Sequence, residues 1–308
     1  MDYDILIIAS GLQPNWDLIE GIHGKLGRDF ITTAFNYSSI DWNKRFFNEI
    51  DGGKVIFTLY GGESNGVIPS KEIALILTAL LKQKKIREKF QILYNDGNQH
   101  LFPNLSIRKS FSSIFDEENI TYRLSTNLLK VYPKNREAVF YDSFKDEEYT
   151  EKYNLLHIAP KMSPSKSIMQ SELSDKNGFL AVDKTTLQHK NYDNVFGIGD
   201  VTNVPCVKNI SVVKSQLSVV LANISTAITG LNDLEEFNGA HSFSLYSTPF
   251  KRSNYRLKFL ELDESKMLPA ITTKSMLGYL ISEKSDPRNY KNLLTKPLVK
   301  KLQSSTVS

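Results

Sequence analysis

The segment Val195-Phe196-Gly197-Ile198-Gly199-Asp200 carries residue types suited to a phosphate or sugar contact. It reads as a strand, a glycine-bounded turn and an acid, with a long helix predicted from about Val207 to Thr229. Glycines let the backbone approach a ligand, a helix N-terminus attracts phosphate, and a carboxylate accepts bonds from hydroxyls. The same residues also fit an ordinary strand–turn whose aspartate caps a helix, and a lone GxGD does not decide between the two.

Other candidate chemistry is sparse. A single cysteine, Cys206, excludes an intrachain disulfide and a multi-cysteine cluster. It reads either as a small buried hydrophobe or as a thiol acidified by a nearby helix start. Five histidines (His23, His100, His157, His189 and His241) show no HxH or HExxH spacing, so no metal site is expected. His157 and His189 read equally as satisfied core or turn residues. Lys82, Lys84, Lys85, Arg87 and Lys89 crowd a predicted helix end, either as a solvated terminus or as a polyanion contact.

The elements that must position these groups follow from periodicity. Ile5 to Ala9 is an apolar run closed by Ser10-Gly11, and reads as a buried strand. Lys54 to Tyr60 is a second such strand, followed by the loop Gly61-Gly62-Glu63-Ser64-Asn65-Gly66. Pro69 opens a helix with Ile73, Ile76, Leu77, Leu80 and Leu81 at helical spacing. Gln91 to Tyr94 is a strand, Arg108 to Glu118 a helix, and 120–124, 128–131 and 138–141 short strands. Leu155 to Ala159 is again a buried strand. Residues 242–246 and 256–261 read as strands ahead of a Lys-rich tail. Strand–loop–helix–strand order over 51–143 predicts an α/β unit with a mostly parallel sheet.

The chain has 308 residues, 41% of them hydrophobic and 23% charged, which suits a packed core. A net charge of +4 is too small to point to nucleic acid. Continuous apolar stretches such as Ile73 to Leu81 fall well short of the ~20 residues of a membrane span, so none is expected. The acidic start Met1-Asp2-Tyr3-Asp4 shows no presequence, which leaves the cytosol open as a location.

Residues 3–22 (YDILIIASGLQPNWDLIEGI), 157–164 (HIAPKMSP), 182–205 (VDKTTLQHKNYDNVFGIGDVTNVP) and the helix with Lys208 and Gln216 resemble eukaryotic, mitochondrial sulfide:quinone oxidoreductases. These are FAD proteins with two dinucleotide-binding domains. The resemblance runs from about residue 3 to 230, and more weakly to about 268. It implies two Rossmann-like three-layer domains and a small C-terminal region. Residues 1–50 would finish the first FAD-domain half, 51–143 form the NAD-binding-like domain, 144–230 the second FAD part, and 231–308 the C-terminal region. It further implies a peripheral protein of the inner mitochondrial membrane that oxidises sulfide through two cysteines and FAD and reduces ubiquinone. Ser10, Gly11, Gly199, Asp200, Lys208 and Gln216 would contact FAD.

Three departures from the family pattern carry expectations. A strand–GxGxxG–helix unit, roughly 100 residues ahead of the ILIIASG strand in the family, has no counterpart here, so an open sheet edge is expected. Asn65 and Val201 stand at the two redox-cysteine positions, and neither side chain forms a persulfide. The tail 270–308 carries Lys274, Glu283, Lys284, Asp286, Arg288, Lys291, Lys296, Lys300 and Lys301 where the family has apolar helices. Leu293, Leu294, Leu298, Val299 and Leu302 there read either as a lipid-facing stripe or as part of a solvated helix. Two functions therefore stand side by side: a flavoprotein of the sulfide:quinone type, and a catalytically inactive, truncated or repurposed binding protein on the same fold. A nicotinamide-dependent quinone reductase lacks a nucleotide fingerprint in the second unit.

Overall fold

The computed structural model describes residues 2–62, 67–230, 233–248 and 251–259. Strands β1 (Leu6–Ile8), β2 (Gln13–Asn15) and β3 (Ile31–Thr32) precede helix α1 (Ser39–Glu49). An alternating run follows: β4 (Gly53–Leu59), α2 (Val67–Gln83), β5 (Phe90–Asp96), α3 (Leu105–Glu117) and β6 (Ile120–Arg123). Next come β7 (Thr126–Tyr132), β8 (Glu137–Asp142), β9 (Glu147–Lys152), β10 (Leu155–Ala159) and β11 (Lys161–Ser163). The last elements are α4 (Lys166–Met169), β12 (Val195–Gly197), α5 (Ile210–Thr229), β13 (Ala240–Thr248) and β14 (Lys251–Lys258).

A parallel sheet of order β3-β10-β4-β5-β6 forms the largest layer. Its central strands are mostly apolar because both faces are covered. One face packs on α1, α2 and α3 through Phe47, Val55, Phe57, Leu77, Ile92, Phe111 and Phe115. The other face, with Ile31, Ile56, Leu156 and Ile158, meets the antiparallel meander β7-β8-β9 through Leu128, Val131 and Phe140. The sheet takes in β3 and β10, from segments expected in the flavin half, alongside the strands of 51–143. Register explains why: Leu155–Ala159 lies in step with Val55–Leu59 and satisfies that edge.

A second core joins β1, β12 and α5 through Ile8, Leu180, Val182, Phe196, Val212 and Val220. The expectation of a buried β1 is corrected here. β1 pairs with β12 alone among the described strands, and Ile7 is 44% exposed. Helix α5 contains one charged residue, Lys214, over 20 residues, and its length and hydropathy suffice to cross a membrane. Continuous apolar runs fail to reveal it because serines interrupt the pattern. Val212, Gln216, Val220 and Asn223 nevertheless form a buried stripe, the signature of a helix lying on a core. Asn65 and the tail residues 270–308 lie outside the described residues.

Candidate functional site

The site is assembled by one strand pairing. β1 and β12 run parallel with Ile8 opposite Gly197, and the Ile198 amide donates to the Ile8 carbonyl at 3.1 Å. Parallel strands in register end together. The turn Ser10-Gly11 and the turn Gly199-Asp200 therefore leave the same carboxyl end, although 188 residues separate Gly11 from Gly199 (199 − 11). That end is where open α/β sheets place their ligands.

Gly199 has φ 76°, a backbone conformation that disfavours a side chain, so glycine suits this turn. Its amide donates to Gln216 Oε1 at 2.8 Å. Gln216 is fully buried on α5, and its Nε2 has no hydrogen-bond partner among the described residues. Asn209 caps the same helix by accepting from the Val212 amide at 3.0 Å. Lys208, one residue earlier, spends its ammonium on the Thr202 and Val204 carbonyls at 2.8 and 3.1 Å, which pins the segment after the turn. Burial raises the Asp200 carboxyl above its ordinary value, against the opposing pull of Lys208. Gly199, Asp200, Lys208 and Gln216 are thus brought together, with Ser10 and Gly11 at the same strand end.

Val201 is fully buried. Cys206 is fully buried too, and burial raises its thiol pKa, with Lys208 opposing and Asp200 adding. The thiol acidified by a helix start is not found; desolvation outweighs the nearby cation. His189 is a satisfied turn residue: Nδ1 accepts from the Asn191 amide at 3.1 Å and Nε2 lies 3.1 Å from the Leu173 carbonyl. His157 is fully buried on β10 against Phe57, and burial pushes its pKa down to about 3. Three of the five cluster residues have partners within the fold. Lys82 pairs with Glu118 at 2.7 Å, Lys84 with Asn48 at 2.9 Å, and Arg87 with the Phe90 carbonyl at 2.7 Å. A polyanion has no claim on those groups.

Sequence reasoning missed a buried network at the carboxyl end of β5. Lys71 and Asp96, both fully buried, pair at 2.9 Å. Ser70 bonds the Tyr94 hydroxyl. Asp96 Oδ1 accepts from the Asn98 amide and side chain, and Asn98 in turn accepts from the Gly62 amide. The sequence signal is a lysine in the first turns of a largely apolar helix. The network ties α2 to the glycine loop.

No family model matches the chain. It is 30% identical over 269 residues to the mitochondrial sulfide:quinone oxidoreductase of Dictyostelium discoideum, covering 86% of this chain and 59% of that protein. It is 27% identical over 246 residues to the mouse mitochondrial sulfide:quinone oxidoreductase, covering 80% and 55%. The chain spans less than two thirds of the length of these curated relatives. Among solved structures, the Aquifex aeolicus sulfide:quinone oxidoreductase superposes with TM-score 0.82 at 16% identity, covering 98% of this chain and 72% of that one. A chain of the Tetrahymena thermophila mitochondrial ATP synthase superposes with TM-score 0.79 at 18% identity, covering 94% and 72%. The resemblance read from the sequence and its α/β fold class are both borne out.

Proposed function

We propose that this sulfide:quinone oxidoreductase-like chain keeps the flavin-contacting end of the family's site and has lost the sulfur-transfer end. The carrying observation is Val201, an aliphatic side chain fully buried beside Asp200 at a redox-cysteine position. Asn65 at the other position and the buried, unacidified Cys206 agree with it. The residues at the strand end fit FAD: a glycine turn open to backbone approach and a buried, unpartnered amide donor. Ser10, Gly11, Gly199, Asp200, Lys208 and Gln216 would hold it. When bound, FAD supplies two-electron transfer, in the family from sulfide to ubiquinone. The chain's own residues do the fixing: Gln216 holds the Gly199 amide and Lys208 holds residues 202–204.

The division at residues 50, 143 and 230 belongs to the same proposal. So does a peripheral place on the inner mitochondrial membrane, with contact through the C-terminal region, supported by the relatives' mitochondrial names. The second reading is a non-catalytic binding protein on this fold. It is favoured by Asn65 and Val201 at the two redox-cysteine positions; a chain of this fold also occurs in the Tetrahymena ATP synthase structure.

The visible absorbance of the purified 308-residue chain tests both. Flavin bands near about 370 and 450 nm, with no sulfide-dependent quinone reduction, support the first reading. A folded, colourless protein supports the second. Flavin together with sulfide-dependent turnover overturns the argument from the missing thiols.

A further inference from the structure

We infer that the cavity at the tip of the β8–β9 hairpin is a docking site for a partner protein, taking from it an arginine flanked by aliphatic residues. The cavity has a volume of about 490 Å³ and is lined by Gln99, Leu124, Ser125, Asp142, Ser143 and Phe144. These residues follow the ends of β5, β6 and β8, whereas those proposed to hold flavin lie around β1, β12 and α5. Hydrogen bonds between the loops fix the wall. The Ser125 amide donates to the Asn98 carbonyl at 2.9 Å. The amide and hydroxyl of Ser143 both donate to the Ser125 carbonyl, at 2.8 and 3.0 Å.

Two side chains describe what fits. Phe144, on the hairpin turn, is 88% exposed. Turns ordinarily carry small polar residues, and a bare aromatic ring is the type of group that anchors interfaces. Beside it Asp142 is buried, and its Oδ1 accepts from the Phe144 and Lys145 amides at 2.9 and 3.1 Å. Its Oδ2 meets the exposed Lys145 ammonium only at 4.0 Å. A guanidinium satisfies such a pair twice, stacking on the ring and bonding to the carboxylate, while Leu124 receives an aliphatic flank. Charge selects the same occupant. Residues 142–148 (DSFKDEE) hold four carboxylates and one lysine, in a chain whose net charge is +4. Arg123, close in sequence to the cavity wall, is committed to Glu151 at 2.9 Å. The patch therefore draws in a cationic segment and repels nucleic acid and anionic lipid.

The probe is the peptide acetyl-Gly-Leu-Arg-Leu-Gly-amide, titrated into the ¹⁵N-labelled 308-residue chain, with citrulline and lysine in place of arginine as controls. Shifts are expected to gather at the amides of residues 99, 124–125 and 143–145, and citrulline to weaken binding about 10-fold. Phe144→Ser changes an exposed position, and Asp142→Asn keeps an oxygen for the two amides while removing the charge; each is expected to weaken binding about 10-fold. Shifts elsewhere, equal binding of the citrulline peptide, or wild-type affinity in Phe144→Ser overturns the inference. A lysine peptide that binds as tightly overturns the choice of arginine. Sedimentation of the chain alone adds one more arm: a dimer that Phe144→Ser dissociates makes the occupant a second copy and overturns the assignment to a different protein. Should Asp142→Asn not fold, Phe144→Ser and the citrulline peptide carry the test.

Discussion

His157 makes acid stability a test of the fold. It sits in the middle of β10, in register with Phe57 on one side and Thr32 on the other, and is fully buried. Its ring lies 5.4 Å from that of Phe57, and neither ring nitrogen makes a hydrogen bond of good geometry. Burial lowers its pKa from 6.5 to about 3. Below pH 6.5 the unfolded chain takes a proton at residue 157 that the folded chain refuses until about pH 3. Stability is therefore lost as pH falls through that window, at about 1.4 kcal/mol per pH unit. Between pH 7 and pH 5 the loss from this residue is about 2 kcal/mol. His157→Leu removes the titration and, with it, an unpaired imidazole. The variant is expected to be no less stable at pH 7 and to lose less on acidification. Urea unfolding at pH 7, 6 and 5 and constant ionic strength measures both chains. Other titrating groups are shared, so the difference between the two slopes isolates residue 157. A wild-type-minus-variant difference that stays flat from pH 7 to pH 5 refutes the reasoning.

Three further outcomes are expected. Lys71→Met leaves Asp96 charged and buried without its partner, costing about 3–5 kcal/mol in urea unfolding, and Lys71→Met with Asp96→Leu recovers at least half of that; a single variant as stable as wild type contradicts this. Gly61→Ala drives a methyl group into the Gly97 carbonyl, where the ends of β4 and β5 touch, and lowers the melting midpoint by an amount equivalent to about 1–3 kcal/mol. An unchanged midpoint would show that the contact yields freely. Val201→Cys alone leaves sulfide-dependent quinone reduction at background, because position 65 is asparagine and the one other thiol, Cys206, is buried with its pKa raised. Turnover by this single variant would show that no cysteine is needed at position 65.

What the sequence made legible tracks how each element is buried. β4, β5 and β10 are covered on both faces, so their side chains are apolar in succession and the strands are readable by eye. β9 is the reverse case. Its residues EEYTEK are mostly exposed and charged, and only pairing with β8 makes them a strand. β3, two residues long, exists because β10 offers it an edge. Helix α5 was readable in position, yet the bond its glutamine makes was not. Its unpartnered nitrogen depends on where Gly199 lies. Pairing of Lys71 with Asp96 lay beyond pattern reading, since 25 residues and a whole helix separate the two charges (96 − 71).

The residues at the strand end differ in what packing asks of them. Lys208 and Gln216 make hydrogen bonds that hold backbone in place, so replacing either would loosen the turn whatever the chain does. A cysteine at position 201 would add nothing to that packing, and valine fills the buried space with an aliphatic group. Packing alone therefore accounts for the fixing residues and for valine at position 201. Packing leaves the Gln216 amide nitrogen unpaired among the described residues, as it does the Asn95 carboxamide and both ring nitrogens of His157.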